Sequence, residues 1–144
     1  MNTTAPKLVI DTNIFIAAIS RKSQFRWIFD CLIQGKMILC VSNEILFEYR
    51  EILAEKTNKE IAENIIEFLS ISPFVEKTEI YFNFRLIPDE DDNKFADCAV
   101  SSNAACLVSN DKHFQILKNV EFPKIIVLKL SEFEEKYKQA LTEC

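Results

Sequence analysis

Short apolar runs of strand type alternate with longer amphipathic runs along this 144-residue chain, and that alternation limits the fold more than any other feature. Strands that recur between helices pair in parallel, because each crossover helix must pack back onto the sheet. The pattern predicts strands at Leu8–Ile10, Met37–Val41, Ala105–Ser109 and Ile125–Leu128. Helices are expected over about Ile14–Ser20, Ser23–Gln34, Ser42–Ala54, Asn58–Ser70, Asp92–Asn103, Asp111–Leu117 and Ser131–Leu141. Ser42 and Ser131 read as N-caps, and Ser131 with Glu134 fits a capping box. The stretch Phe74–Ile87 reads either as an extra strand or as an extended connection. No repeat, low-complexity tract or linker marks a second unit, so one α/β domain over residues 1–144 is expected.

Composition excludes several chemistries. A phosphate-cradling glycine loop and a dinucleotide fingerprint both need residues without a Cβ, and Gly35 is the one glycine in the chain. His113 is the one histidine, which excludes a multi-histidine zinc site. Five cysteines, Cys31, Cys40, Cys98, Cys106 and Cys144, form no CxxC pair and read as reduced core thiols. The longest wholly apolar run, Ile14 to Ile19, is too short to cross a bilayer, so a cytoplasmic protein is expected. With 17 basic and 22 acidic residues the net charge is 17 − 22 = −5, which argues against nucleic-acid binding driven by charge alone.

Ligands of open parallel sheets bind beyond the carboxyl ends of the strands, so the residues there matter most. Asp11 follows the first strand and Asp111 follows the third. On the helix after the second strand, Ile45, Leu46, Tyr49, Ile52 and Leu53 form the apolar face, and Glu48 lies nearest to it among the glutamates. On Asp92–Asn103, Asp92 projects near the middle of the face formed by Phe95, Ala96, Ala99 and Val100. Asp97 points roughly 140° away from Asp92, and it and Asp91 read as solvated acids or as dipole partners at the helix start. The run Asp89-Glu90-Asp91-Asp92 reads as part site and part solvated helix start. Four acids from four segments, Asp11, Glu48, Asp92 and Asp111, are thus expected at one end of the sheet. Crowded carboxylates need cations, and oxygen-only ligands favour Mg²⁺ or Mn²⁺ over zinc. Such ions activate water and neutralise a scissile phosphate.

The ordered set Leu8-Val9-Ile10-Asp11-Thr12-Asn13, Ser42 through Glu48 to Leu53, Asp92-Asn93-Lys94-Phe95-Ala96-Asp97-Cys98-Ala99, Leu107-Val108-Ser109-Asn110-Asp111 and Ser131-Glu132-Phe133 resembles the PIN-domain family. It is similar in particular to PIN-type, VapC-like toxins of toxin–antitoxin pairs. The resemblance implies a three-layer α/β/α domain with a mainly parallel sheet and a metal-dependent endoribonuclease activity. It implies Asp11, Glu48, Asp92 and Asp111 as the catalytic and metal-binding quartet, with Asp97 as an extra or supporting ligand. Thr12, Asn13 and Ser109 take the polar supporting places. A cognate antitoxin and a homodimer follow by analogy, and Ser23–Gln34, with Phe25, Trp27, Ile28 and Phe29, is the segment expected to offer an exposed aromatic patch. Arg21, Lys22, Arg26, Lys94, Lys112 and His113 are the basic candidates for the RNA backbone. Where relatives often read Thr-Gly-Asp, this chain has Ser109-Asn110-Asp111, and Asn is the side chain that best tolerates a left-handed turn. The alternative is a PIN-fold RNA- or protein-binding subunit that keeps the acids with weak or no turnover. An aspartyl-phosphate phosphatase would want a second Asp where Asn13 stands, and a receiver domain would want a late lysine after a strand, whereas Lys124 precedes one.

Overall fold

A computed structural model describes residues 5–143. Five parallel strands form one sheet in the order β3-β2-β1-β4-β5: β1 (Lys7–Ile10), β2 (Ile38–Val41), β3 (Val75–Lys77), β4 (Cys106–Val108) and β5 (Val127–Leu128). The helices are α1 (Thr12–Ile19), α2 (Arg26–Ile33), α3 (Asn43–Lys56), α4 (Lys59–Ile71) and α5 (Glu90–Ser102). A 3₁₀ segment follows at Lys112–Asn119, and the chain closes with α6 (Leu130–Phe133), a π-helical turn (Glu134–Lys138) and α7 (Gln139–Thr142). Leu8, Val9, Leu39, Cys40, Val41, Leu107 and Val108 are all buried, as strands covered on both faces must be. No described helix is long and apolar enough to cross a membrane.

The ambiguous stretch after Pro73 resolves into both alternatives. Val75–Lys77 pairs with β2, and the chain then runs extended to α5. Ser42 caps α3 as expected, its hydroxyl accepting from the Ile45 amide at 3.3 Å. Ser131 does not cap the last helix: that helix starts one residue earlier, and the Glu132 carboxylate accepts from the Lys129 amide at 2.9 Å. Asp111–Leu117 winds as 3₁₀ turns rather than an α-helix.

The expected aromatic patch on Ser23–Gln34 is absent. Ile28 and Phe29 are buried, Trp27 stacks on Phe133 at 5.6 Å between centroids, and its indole N–H donates to Glu134 at 3.0 Å. Among the described residues, Phe47, Tyr81, Phe82 and Phe122 are the exposed aromatic rings instead. Gly35 takes φ of 76°, and a Cβ there would meet the Phe74 ring at 2.5 Å, so the chain's one glycine sits where a side chain cannot. Cys31, Cys40, Cys98 and Cys106 are buried free thiols, and burial pushes Cys98 and Cys106 up to about 12. Cys144 lies outside the described residues.

Candidate metal centre at the carboxyl end of the sheet

Parallel register places the first acid. Ile10 is opposite Val108, so the next residues, Asp11 and Ser109, emerge side by side from β1 and β4. The Asp11 amide donates to the Val108 carbonyl at 3.0 Å, and the Ser109 hydroxyl donates to Asp11 Oδ2 at 2.6 Å. The same hydroxyl oxygen accepts from the Asp111 amide at 3.0 Å, so one buried side chain orients two of the expected acids. Beneath them, the buried Tyr49 phenol donates to the Ile10 carbonyl and its ring stacks on Phe15 at 4.2 Å. This pins the end of β1 to α3.

Asp11 is 8% exposed, and burial is the main cause that raises its pKa above the ordinary carboxylate value; Asp111 and Glu48 add to the rise. The Ser109 hydroxyl and the Asn13 amide oppose it. Glu48 is half-buried, accepting from the Thr12 hydroxyl through one oxygen and ion-paired to Lys94 Nζ at 2.9 Å through the other. Thr12 and Ser109 therefore each hold a carboxylate. Asn13 is exposed and shares with Asp11, Asn110 and Asp111 the wall of a cavity of about 340 Å³.

The second half of the site surrounds an imidazole. His113 Nδ1 lies 3.2 Å from Asp92, 3.4 Å from Asp111 and 3.9 Å from Asp89. The His113 amide donates to Asp111 Oδ1 at 2.9 Å, which fixes this turn after β4. Asp92 is raised above the usual carboxylate range, first by burial and then by Asp89. Among the described residues, Asp89, Asp92 and His113 are the group of three whose ligand atoms all lie within 4.8 Å of one another. That donor set fits a divalent cation: two carboxylate oxygens supply charge and an imidazole nitrogen supplies a further lone pair. The single histidine thus lies against the acids, where the sequence suggested oxygen donors alone.

Asp89 belongs to the acidic run that reads as part site and part solvated helix start. It is the N-cap of α5, accepting from the Asp91 amide at 3.0 Å, while also facing His113. The signal in the sequence was an Asp three residues before Asp92, which puts the two one helical turn apart. Asp97 is buried rather than solvated. Its carboxylate accepts from the Phe84 amide at 3.1 Å and lines a cavity of about 250 Å³ with Asn83, Arg85 and Asn93, apart from the contacts that link Asp11, Asp92 and Asp111. Asn110 needs no left-handed backbone, since the described positive-φ residues are Gly35, Arg85 and Asn103. Its side chain instead accepts from the Leu130 amide at 2.8 Å, a role glycine cannot fill. Of the basic candidates, Arg21, Lys22 and Lys112 are exposed, Arg26 is bonded to Asp30 and the Ile19 carbonyl, and Lys94 is held on Glu48.

Comparison with known proteins agrees with this architecture. An uncharacterized protein of Methanocaldococcus jannaschii, MJ1680, is 31% identical over 78% of this chain and 76% of its own length. A crystal structure of VapBC2 from Rickettsia felis, bound to a DNA fragment from its promoter, superposes with a TM-score of 0.60 at 18% identity, covering 85% of this chain and 98% of that one. The PIN domain endonuclease Utp24 superposes with a TM-score of 0.54 at 19% identity, covering 89% of this chain and 87% of that one. At those identities the likeness is one of fold. Residues 7–113 match the model of the PIN domain, a span that runs from β1 through all the acids described above, and the chain belongs to the PIN-domain family.

Proposed function

We propose that this protein is a metal-dependent endoribonuclease that hydrolyses RNA phosphodiester bonds, and that it serves as the cytoplasmic toxin of a type II toxin–antitoxin pair. The observation that carries the reading is the linked set of acids in a PIN domain: Asp11 and Asp111 share Ser109, and Asp111 and Asp92 share His113. Glu48 joins through Thr12, the residue next to Asp11. Asp11, Glu48, Asp92 and Asp111 would hold one or two Mg²⁺ or Mn²⁺ ions. Such ions, when bound, neutralise the scissile phosphate and lower the pKa of water to make the nucleophile.

The chain's own residues do the positioning. Ser109 fixes the rotamer of Asp11, Thr12 fixes Glu48, and the Tyr49 phenol holds the strand end on which Asp11 stands. Without a cation at Glu48, Lys94 supplies its countercharge. The cavity lined by Asp11, Asn13 and Asp111 is the place assigned to the scissile phosphate in this reading, with the bound ion between it and the acids. Arg21, Lys22 and Lys112 are the exposed cations assigned to the RNA backbone. A small antitoxin that covers this opening and a second copy of the chain are the partners proposed, in line with the VapBC complexes that share the fold. Asp97 takes a structural place in this reading.

Incubating the purified protein with total cellular RNA, with and without Mn²⁺, tests the activity. Ion-dependent cleavage that Asp11→Asn abolishes is expected; equal cleavage by Asp11→Asn in the presence of metal refutes the site. A fold-competent chain that binds Mn²⁺ yet cuts no RNA would be the non-catalytic binding subunit.

A further inference from the structure

The histidine at this site has no counterpart in the oxygen-only quartet, and its surroundings are built. Two chain segments bring the donors together. Asp89 and Asp92 come from the cap and first turn of α5, and His113 comes from the turn after β4. Both segments are braced independently of one another. The Asn93 side chain accepts from the Ile87 amide and donates to the Ile87 carbonyl, each at 2.9 Å, which fixes the loop leading into Asp89. On the other side, the His113 amide is tied to Asp111 Oδ1 and the Asp111 amide to Ser109. The His113 side chain is 48% exposed, so it is no core residue satisfied by burial, and its Nδ1 is turned toward the acids.

We propose that His113 is a direct nitrogen ligand, acting with Asp89 and Asp92, and that it biases this centre toward a first-row transition ion such as Mn²⁺ over Mg²⁺. Imidazole nitrogen binds first-row transition ions well and adds little for Mg²⁺, which prefers oxygen and keeps its water. The inference rests on the reading of this end of the sheet as a metal site. It goes beyond it in naming which residue sets the choice of ion.

Because His113 is the only histidine, isotope labelling addresses it alone. Untagged full-length protein loaded with less than one equivalent of Mn²⁺ is examined by pulsed electron paramagnetic resonance. Nitrogen-14 modulation of the Mn²⁺ signal is expected, converting to the nitrogen-15 pattern when the protein is grown on ¹⁵N-histidine. In His113→Gln the modulation disappears, and the ratio of Mn²⁺ to Mg²⁺ affinity falls by about tenfold or more, the smallest change that disturbing a metal site's ligand shell usually brings. Bound Mn²⁺ without histidine modulation, at an unchanged affinity ratio in His113→Gln, overturns the proposal and leaves the metal site standing. Failure of the wild-type protein to bind either ion overturns both. The labelling experiment needs no substitution, so it decides the question even if His113→Gln misfolds.

Discussion

The two halves of the site are built on different principles. Around Asp11 and Glu48, hydroxyls and an ammonium from the protein already satisfy the carboxylates: Ser109 on Asp11, Thr12 and Lys94 on Glu48, all buried or half-buried. Around Asp92, Asp89 and Asp111, the recorded partner in common is a single half-exposed imidazole. The first half is held rigid by the packed sheet end and α3; the second hangs from the start of α5 and a 3₁₀ turn. A buried, hydrogen-bonded carboxylate is preorganised, whereas a cluster of partly exposed acids is completed by what binds to it. The division implies that changes in the buried half alter stability, in either direction, as well as catalysis, and that changes in the exposed half act chiefly on ion binding.

The largest effect is expected at Asp11. Asp11→Asn should lower metal-dependent cleavage by more than about 100-fold, beyond the range usual for groups that only orient ligands. It should also raise the melting temperature of the metal-free protein. The sign follows from burial: with its folded pKa above the ordinary carboxylate value, Asp11 keeps a proton in the folded chain that the unfolded chain has released. Its contribution therefore falls as pH rises through that window and stays lowest above it, where Asn carries no such penalty. A variant that loses both activity and stability would show that Asp11 is structural.

Ser109→Ala comes next. It leaves Asp11 and the Asp111 amide without their shared partner, and should cost ~1–3 kcal/mol in denaturant unfolding and about 10- to 100-fold in ion affinity by calorimetry. Loss of stability with unchanged affinity would place Ser109 outside the site. Adding Mn²⁺ at about a hundred times its dissociation constant should stabilise the wild type by ~2.7 kcal/mol, roughly 5–10 °C for a domain of this size. Most of that gain should vanish in Asp92→Asn, whose metal-free fold is intact; a full gain there would move the ion to the buried half.

Asp97→Asn should have the smallest effect on function. Cleavage stays within twofold of wild type on this account, while stability at neutral pH rises because burial has raised the Asp97 pKa and the amide oxygen can still accept from Phe84. The gain should fade as pH falls through the raised value toward the ordinary carboxylate value, where both states carry a protonated acid. Strong loss of cleavage would make Asp97 a ligand after all.

The sheet was legible because its strands are covered on both faces and so read as unbroken apolar runs, as in Leu8–Ile10 and Cys106–Val108. The edge strand β3 stayed ambiguous with an extended connection, since half-buried Val75 and Glu76 and exposed Lys77 carry no such signature. Helical angles drew Glu48 toward the strand ends, where it accepts from Thr12, but failed for Asp97, because angle alone does not foresee the extended segment 78–87 folding over that face of α5 with the Phe84 amide aimed at it. Asn110 misled through analogy: a residue matched to glycine by its tolerance of left-handed turns is used for its side chain. His113 reads from the sequence as a basic group for the RNA backbone rather than as a partner of the acids, because it lies only two positions past Asp111, where a turn decides whether a side chain faces the acids or solvent.

The measurement that tests the central claim most directly is analysis of the ends produced when the wild-type protein cuts a defined single-stranded RNA, with Mn²⁺ and with a chelator. Hydrolysis by a water-derived nucleophile leaves a linear phosphate at one new end and a hydroxyl at the other, and stops when the ion is removed. Linear ends with full chelator sensitivity are the expected result. A 2′,3′-cyclic phosphate, or cleavage that persists in the chelator, would contradict the account, because it would mean that the ribose hydroxyl attacks and the four acids are not the machinery.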